Sequence, residues 1–393
     1  QIGTGSSGTV GAWPTDDENI LTVNYYDSYE FLSEFPYVNP GAPFTSQPTS
    51  RIHGLQTGKK VKNLETGEFY TTALYYDEKA RVIQTISQDQ LGGDVLNSTA
   101  YNFEDQPTHT KLSVSSAAVP DILRTYSYNV AGQLASITHK IGSEPTVTLA
   151  SYTYNDLGQQ VNKSFPDITS GNQTYAYNIR GWLKNLGSDH TEVFKQTLFY
   201  QSGADVNQWN GNIARIDWSG MTGSGKTRTY NYAYDNANRL TGADYNASGE
   251  ADWFTLDGMV YDDNGNITHL VRRNQRTSST YGIVDDLNYT YLTNSNRLSQ
   301  VTDSNTAQTY TSKDFIDRSS VDYEYDANGN LSKNLDKQIS SISYNHLNLP
   351  NEVVFSTGAK LTYSYDAEGN KLTQKVYDTS GNLSKTQDYV GEV

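Results

Sequence analysis

Two glycine-rich stretches have the spacing of a nucleotide site. Gly220-Met221-Thr222-Gly223-Ser224-Gly225-Lys226-Thr227 fits G-x-x-x-x-G-K-T in full, and Gly3-Thr4-Gly5-Ser6-Ser7-Gly8 fits G-x-G-x-x-G. A phosphate cradle of the first kind needs a buried strand before it and a helix after it, so that amides and the helix dipole face the anion. Here Thr227-Arg228-Thr229-Tyr230-Asn231-Tyr232-Ala233-Tyr234 follows and alternates as a strand, and Asn212–Trp218 before it alternates as well. The stretch is read as the glycine-rich tip of a hairpin. The second match runs into Trp13-Pro14 with no helical period and no βαβ context, so it is read as a terminal segment.

Oxygen-rich loops come next. Asp262-Asp263-Asn264-Gly265-Asn266 and Asp326-Ala327-Asn328-Gly329-Asn330 crowd side-chain oxygens as calcium loops do. Their glycine is the fourth residue instead of the sixth, and no bidentate Glu follows, so a turn accounts for them. The six histidines, at 53, 109, 139, 190, 269 and 346, form no H-E-x-x-H and no close pair. With no Cys in the chain, disulfides, thiolate catalysis and Cys-ligated zinc are excluded. No G-x-S-x-G elbow occurs, and nothing selects a carboxylate pair from the many available. Trp13, Trp182, Trp209, Trp218 and Trp253 have faces suited to sugars, but packing explains them as well. The reading assigns no catalytic residue, no cofactor and no metal ligand, and the chain is taken as a non-enzyme.

The elements around these motifs are strands. The 393 residues carry 44 Asp and Glu against 29 Lys and Arg, a net charge of −15. That balance argues against nucleic acid, which needs clustered cations. No run approaches the 18 or so apolar residues of a membrane-spanning helix. A mean hydropathy of −0.67 would suit a poorly folding chain, yet Tyr numbers 31 against Phe 11. A Tyr ring buries a large apolar face and needs only its hydroxyl satisfied, so the composition fits an ordered all-β protein.

One pattern recurs along the chain: Tyr-x-Tyr-Asp/Asn, two or three residues, Gly or Asn, then Leu, Ile or Val. Tyr323-Glu324-Tyr325-Asp326-Ala327-Asn328-Gly329-Asn330-Leu331 and Tyr363-Ser364-Tyr365-Asp366-Ala367-Glu368-Gly369-Asn370-Lys371-Leu372 are the clearest copies. Others start at Tyr126, Tyr152, Tyr175 and Tyr232, and degenerate ones sit at Tyr75-Tyr76-Asp77, Tyr289-Thr290-Tyr291, Tyr344 and Tyr377. A worn copy at Phe199-Tyr200 fills the long gap between Tyr177 and Tyr234. Alternation puts both rings on one face of a strand. The Asp or Asn suits the first position of a type I turn, and the Gly suits a left-handed G1 bulge. The unit is a β-hairpin that buries its Tyr face only when stacked on neighbours. Residues 1–50 are expected to be irregular, 51–115 to form a degenerate first β module, and 116–393 to form the regular hairpin array. Val271–Asp286 and Asp303–Ser320 are polar and are expected to be loops between hairpins.

With these residues in view, the sequence resembles the RHS, or YD-repeat, proteins. Their motif Tyr-Asp-x-x-Gly-Asn/Arg-Leu is matched by Tyr325–Leu331, by Tyr365–Leu372 and more loosely by the other copies, over roughly residues 70–393. Asn24-Tyr25-Tyr26-Asp27-Ser28-Tyr29 and Tyr75–Gln84 look like the long RHS proteins of bacteria that use the type IX secretion system. Gln387–Val393 looks like the entry to the family's core segment, and the start of the chain looks like a cut inside a longer protein. The resemblance implies hairpins wound spirally into a hollow shell that encloses a C-terminal toxin-like domain of the same polypeptide, in a secreted or cell-surface protein. It implies self-cleavage only through core-segment residues that are not in this sequence, so no catalytic residue is carried over. The acidic charge would line the cavity against a basic cargo or serve solubility. A surface adhesin or glycan-binding protein, and a secretion substrate held by its transport machinery, are the alternative readings.

Overall fold

A computed structural model describes residues 20–30, 35–116, 119–166, 171–190, 193–204, 206–220, 226–250, 253–277, 279–305, 315–318 and 322–391. Among these residues there are 27 strands, in a 20-stranded and a 7-stranded sheet built from antiparallel pairs of successive strands. No helix there is long and apolar enough to cross a membrane. The all-β hairpin array expected from the repeat is the architecture observed.

The chain divides into two compact units. One comprises 1–151, 344–352 and 358–393; the other comprises 152–343 and 353–357. Within the first unit a core forms from Phe35, Ala73, Tyr75, Ile83 and Ile86, with Tyr29, Tyr37, Leu96 and Tyr101 against it. The segment around Phe35 joins by polar contacts too. Gln84 is 1 % exposed, and its amide accepts from Val38 N and donates to Val38 O, at 2.9 and 2.7 Å. Within residues 1–50, Thr22–Tyr26 is a strand paired with Gln56–Lys62.

The same unit holds the last hairpins of the chain against its first strands. Ala367 N donates to Lys62 O at 2.8 Å, and Leu64 N to Tyr365 O at 3.0 Å. Gln90 Nε2 donates to both Leu372 O and Tyr389 O at 3.0 Å. Lys59 pairs with Glu368 at 2.5 Å, and Val390 packs on Val95, Leu112 and Val114.

One expectation fails in the second unit. Val271–Asp286 is not a loop. Strands Ile267–Gln275 and Tyr281–Tyr291 run through it, with Val271 opposite Asp286. Its polarity reflects cross-strand ion pairs, Arg272 with the fully buried Asp285 and His269 with Asp286 at 2.8 Å, which join the apolar pair of Leu270 opposite Leu287 in holding the two strands. Of 303–320, residues 315–318 carry no strand, and 306–314 and 319–320 lie outside the described residues.

Candidate functional site: the repeat joint and an acidic cluster

The well-formed repeat copies are closed by the same turn. In the copy at Asp326, the side-chain Oδ1 accepts from Asn328 N and Asn330 N, Gly329 N donates to Asp326 O, and Asp326 N to Asn330 O. Asn129, Asn155, Asp235, Asp262, Asn345, Asp366 and Asp378 make the same pair of side-chain bonds, to the amides two and four residues on. The residue three on has positive φ: 89° at Gly265 and Gly329, 75° at Gly132, and 63° where Asn238 stands in. The register shifts by one just before the second Tyr, as between Ser127 and Tyr128, which is the expected bulge. Ala80, at φ 59°, occupies this position without the freedom of Gly or the local bonding of Asn.

The residue after the bulge completes the turn by complementarity. Where the turn opens with acceptor-only Asp, that residue is a donor: Asn266, Asn330 and Asn370 give Nδ2 to the second carboxylate oxygen at 2.8 to 3.0 Å, and Arg81 and Arg239 give Nε at 2.8 and 2.6 Å. Where it opens with Asn102, Asn129 or Asn155, the residue is Gln, whose Oε1 accepts the amide at 2.8 to 2.9 Å. This pairing is legible in the sequence and was not read there.

The joint between hairpins is a tyrosine hydroxyl. In copy after copy the second Tyr donates to the carbonyl at or near the head of the preceding hairpin's return strand. Tyr101 bonds Val82 O, Tyr128 Pro107 O, Tyr177 Gln160 O, Tyr261 Leu240 O, Tyr325 Leu298 O and Tyr365 Pro350 O, at 2.6 to 3.1 Å. The degenerate copies at Tyr76 and Tyr291 and the worn one at Tyr200 do the same, to Gln56 O, Ile267 O and Leu183 O. Arg81, Arg239 and Arg297 lie over the rings of Tyr101, Tyr261 and Tyr325, 4.6 to 5.6 Å from the centroids. An Arg just before the return strand therefore covers the same ring whose hydroxyl the next residue's carbonyl receives. Burial pushes the phenols of Tyr128, Tyr234 and Tyr325 up, so these three stay protonated donors.

The sequence motifs with nucleotide spacing fall almost wholly outside the described residues. Residues 221–225 and 3–8 lie outside the described residues. Lys226 Nζ pairs with Glu250 at 2.6 Å, and Arg228–Tyr234 is a strand instead of a helix. In the loops at Asp262 and Asp326 the carboxylate oxygens are taken by amides and by Asn266 or Asn330. Trp218 stacks on Tyr230 and Trp253 on Tyr281, at 5.2 and 3.7 Å between centroids, while Trp209 is 67 % exposed.

One cluster has no counterpart in the sequence reading. Carboxylate oxygens of Asp317, Asp322 and Asp336 lie within 4.8 Å of one another. Asp322 precedes strand Tyr323–Tyr325, and Asp336 lies in the turn between Leu331–Asn334 and Ile339–Tyr344. Asp322 sits where the 20-stranded sheet ends: Val301 N donates to its Oδ2 at 3.0 Å, in place of a ladder carbonyl. Burial first, and then the charges of Asp322 and Asp317, push Asp336 up to about 6, against the pull of the Arg318 amide. Three acids from separate segments give no spacing signal, which is why the sequence did not disclose them.

No protein-family model and no curated protein matches the chain. Solved structures align at low identity. The crystal structure of TcdB2-TccC3-TEV covers 94 % of the chain at 13 % identity with a TM-score of 0.44. A structure of the Photorhabdus luminescens Tc holotoxin pore with a mutated TccC3 covers 92 % at 13 % identity and 0.42. TcdB2-TccC3 without its hypervariable C-terminal region covers 86 % at 13 % identity and 0.32. The chain spans about a fifth to a quarter of the length of those chains, 21 %, 20 % and 24 %.

Proposed function

We propose that this chain is the non-catalytic wall of an RHS-type shell in a secreted bacterial protein, enclosing or presenting a C-terminal toxin-like domain of the same polypeptide. The observation that carries this reading is the repeated tyrosine joint. In copy after copy the hydroxyl is satisfied by the hairpin before it, so the unit is built to be laid side by side in number. The contacts of Leu64 and Gln90 with the hairpins around Tyr365 and Tyr389 support a sheet that winds back on itself, since successive turns must touch across a long stretch of sequence. Residues 116–393 serve as the regular array, 51–115 as its first module and 1–50 as the segment leading into it. A type IX route to the cell surface fits the resemblance of residues 24–29 and 75–84.

The parent reading frame tests the proposal. A core segment followed by an unrelated domain, beside a small gene for an immunity protein, is the expected arrangement. A further long array ending in a surface anchor overturns it in favour of adhesion.

One observation favours that second reading. A cleft of about 360 Å³ in the second unit is walled by Trp218, Trp253, Phe254 and Tyr281, with Arg228 and Glu250 beside them. Aromatic faces beside charged hydrogen-bonding groups suit a sugar. Glycan-array binding that Trp253→Ala abolishes is the outcome expected of an adhesin.

A further inference from the structure

We infer that Asp317, Asp322 and Asp336 form a calcium site where the long sheet gives way to the next. Three acids close together make no site by themselves. What marks this one is that two of them are buried with an oxygen left over. Asp322 is 0 % exposed and Asp336 5 %, and neither Asp322 Oδ1 nor Asp336 Oδ2 has a hydrogen-bond partner.

The other oxygens explain why the carboxylates stay put. Val301 N holds Asp322 Oδ2 at 3.0 Å, Arg318 N holds Asp336 Oδ1 at 3.0 Å, and Asp303 N reaches Asp317 Oδ2 at 3.3 Å. The main chain of Asp322 is tied at both ends, its N to Ser299 O and its O to Leu335 N. The side chains are thus aimed by amides through one oxygen, and the second oxygen of each buried pair faces no donor. A buried charge without a partner is strongly unfavourable. Arg318 relieves it only in part: its charge draws on Asp336, but its guanidinium donates to the main-chain O of Asp336 and leaves Oδ2 without a donor.

A bound cation relieves it. Calcium binds oxygen at about 2.3 to 2.6 Å, so two oxygens on one ion are at most about 5 Å apart. The 4.8 Å limit on this cluster lies inside that span. The donor set is all carboxylate, with no imidazole or thiolate, which selects a hard cation over zinc or copper. Asp317 is exposed, so an ion can reach the site and keep water on that side. The inference does not depend on the container reading.

Terbium, a luminescent stand-in for calcium, provides the test, because Tyr323 is adjacent to Asp322 in the chain and can sensitise it. The full chain is stripped with chelator, loaded with terbium under tyrosine excitation, and titrated with calcium; calorimetry with calcium alone gives the stoichiometry. The expected result is one calcium per chain that displaces the terbium signal, with affinity at least about ten-fold weaker in Asp322→Asn and in Asp336→Asn, a loss of about 1.4 kcal/mol. Asp326→Asn, in a turn whose oxygens are already taken, should bind as the parent does. If Asp322→Asn fails to fold by circular dichroism, Asp317→Asn on the exposed side carries the comparison. No displaceable signal at millimolar calcium, or a signal undiminished in the cluster variants, overturns the site and leaves the acids sharing a proton.

Discussion

Replacing Tyr261 with Phe removes one hydroxyl and nothing else from a joint. The hydroxyl donates to Leu240 O at 2.6 Å, and the Arg239 guanidinium lies 4.6 Å from the ring centroid. The ring and its cation contact remain in Tyr261→Phe, so the loss is that of the hydrogen bond. A net bond contributes about 0.5 to 1.5 kcal/mol, and a carbonyl left half-buried without its donor places the loss toward the upper end. About 1 kcal/mol is a factor of roughly five in a local opening equilibrium. Global unfolding is a poor readout, since a long array of two compact units does not melt in one step. Hydrogen exchange by mass spectrometry reads the joint directly. Peptides covering Leu256–Tyr261 and Leu240–Ala247 should exchange about five-fold faster, while peptides of the first unit do not change. Tyr363→Phe is the control, because Tyr363, the first of its pair, makes no such bond to the preceding hairpin. Equal exchange in Tyr261→Phe and the parent, or the same acceleration from Tyr363→Phe, would refute the joint as a source of stability.

Other outcomes follow from the turns and the charges. Gly265→Ala should destabilise its hairpin by about 1 to 2 kcal/mol from backbone strain, because φ is 89° and an added Cβ meets only the end of Arg239 at 4.0 Å; Ala80→Gly, at φ 59°, should stabilise by up to about 1 kcal/mol, both read as shifts of the local urea midpoint. Asp262, Asp326 and Asp378 are held below the ordinary carboxylate value of 3.8, the first two chiefly by the Asn266 and Asn330 side chains and the third by the Asn382 amide. Their contribution is complete above that value and lost as pH falls through the lower folded values, so a triple Asp→Asn variant should show a shallower acid limb in a stability-against-pH series. His269 is raised above 6.5, first by Asp286 and then by Gly258 O, against burial. Its bond is fully present below 6.5 and fades as pH rises through the higher folded value, a loss that His269→Gln should remove from the same series.

The repeat was legible because each of its residues has one local task. Tyr at alternate positions, Asp or Asn at the turn and Gly at the bulge fixed hairpin after hairpin, down to the worn copy at Tyr200. The polar stretch Val271–Asp286 was misread because hydropathy stands in for burial, and that hairpin is held by Arg272–Asp285 and His269–Asp286 as well as by Leu270 opposite Leu287. The acidic cluster was invisible for a different reason. Asp317, Asp322 and Asp336 meet only because the chain crosses from one sheet to the next between them, and no local pattern encodes that meeting.

The joint also explains how so hydrophilic a chain folds. At a mean hydropathy of −0.67 there is little apolar surface to drive collapse, and many rings are only half-covered. A half-buried Tyr contributes its face to packing, but only if its hydroxyl is satisfied where water is scarce. Placing the acceptor on the neighbouring hairpin makes that satisfaction conditional on the neighbour being folded. The bond thereby adds a side-chain coupling to the backbone ladders that already run from one hairpin to the next, whereas the turn acts within one. Stability then propagates from neighbour to neighbour, and the terminal hairpins are the weak points. In the first unit the bonds from Gln90 to Leu372 and Tyr389 tie late hairpins to early ones, so an opening at the last strands must also break contacts made 282 and 299 residues away. Gln90→Ala should therefore accelerate exchange in Lys371–Tyr377 while leaving Leu256–Tyr261 unchanged; acceleration confined to the residues around position 90 would show that the return contact carries no stability.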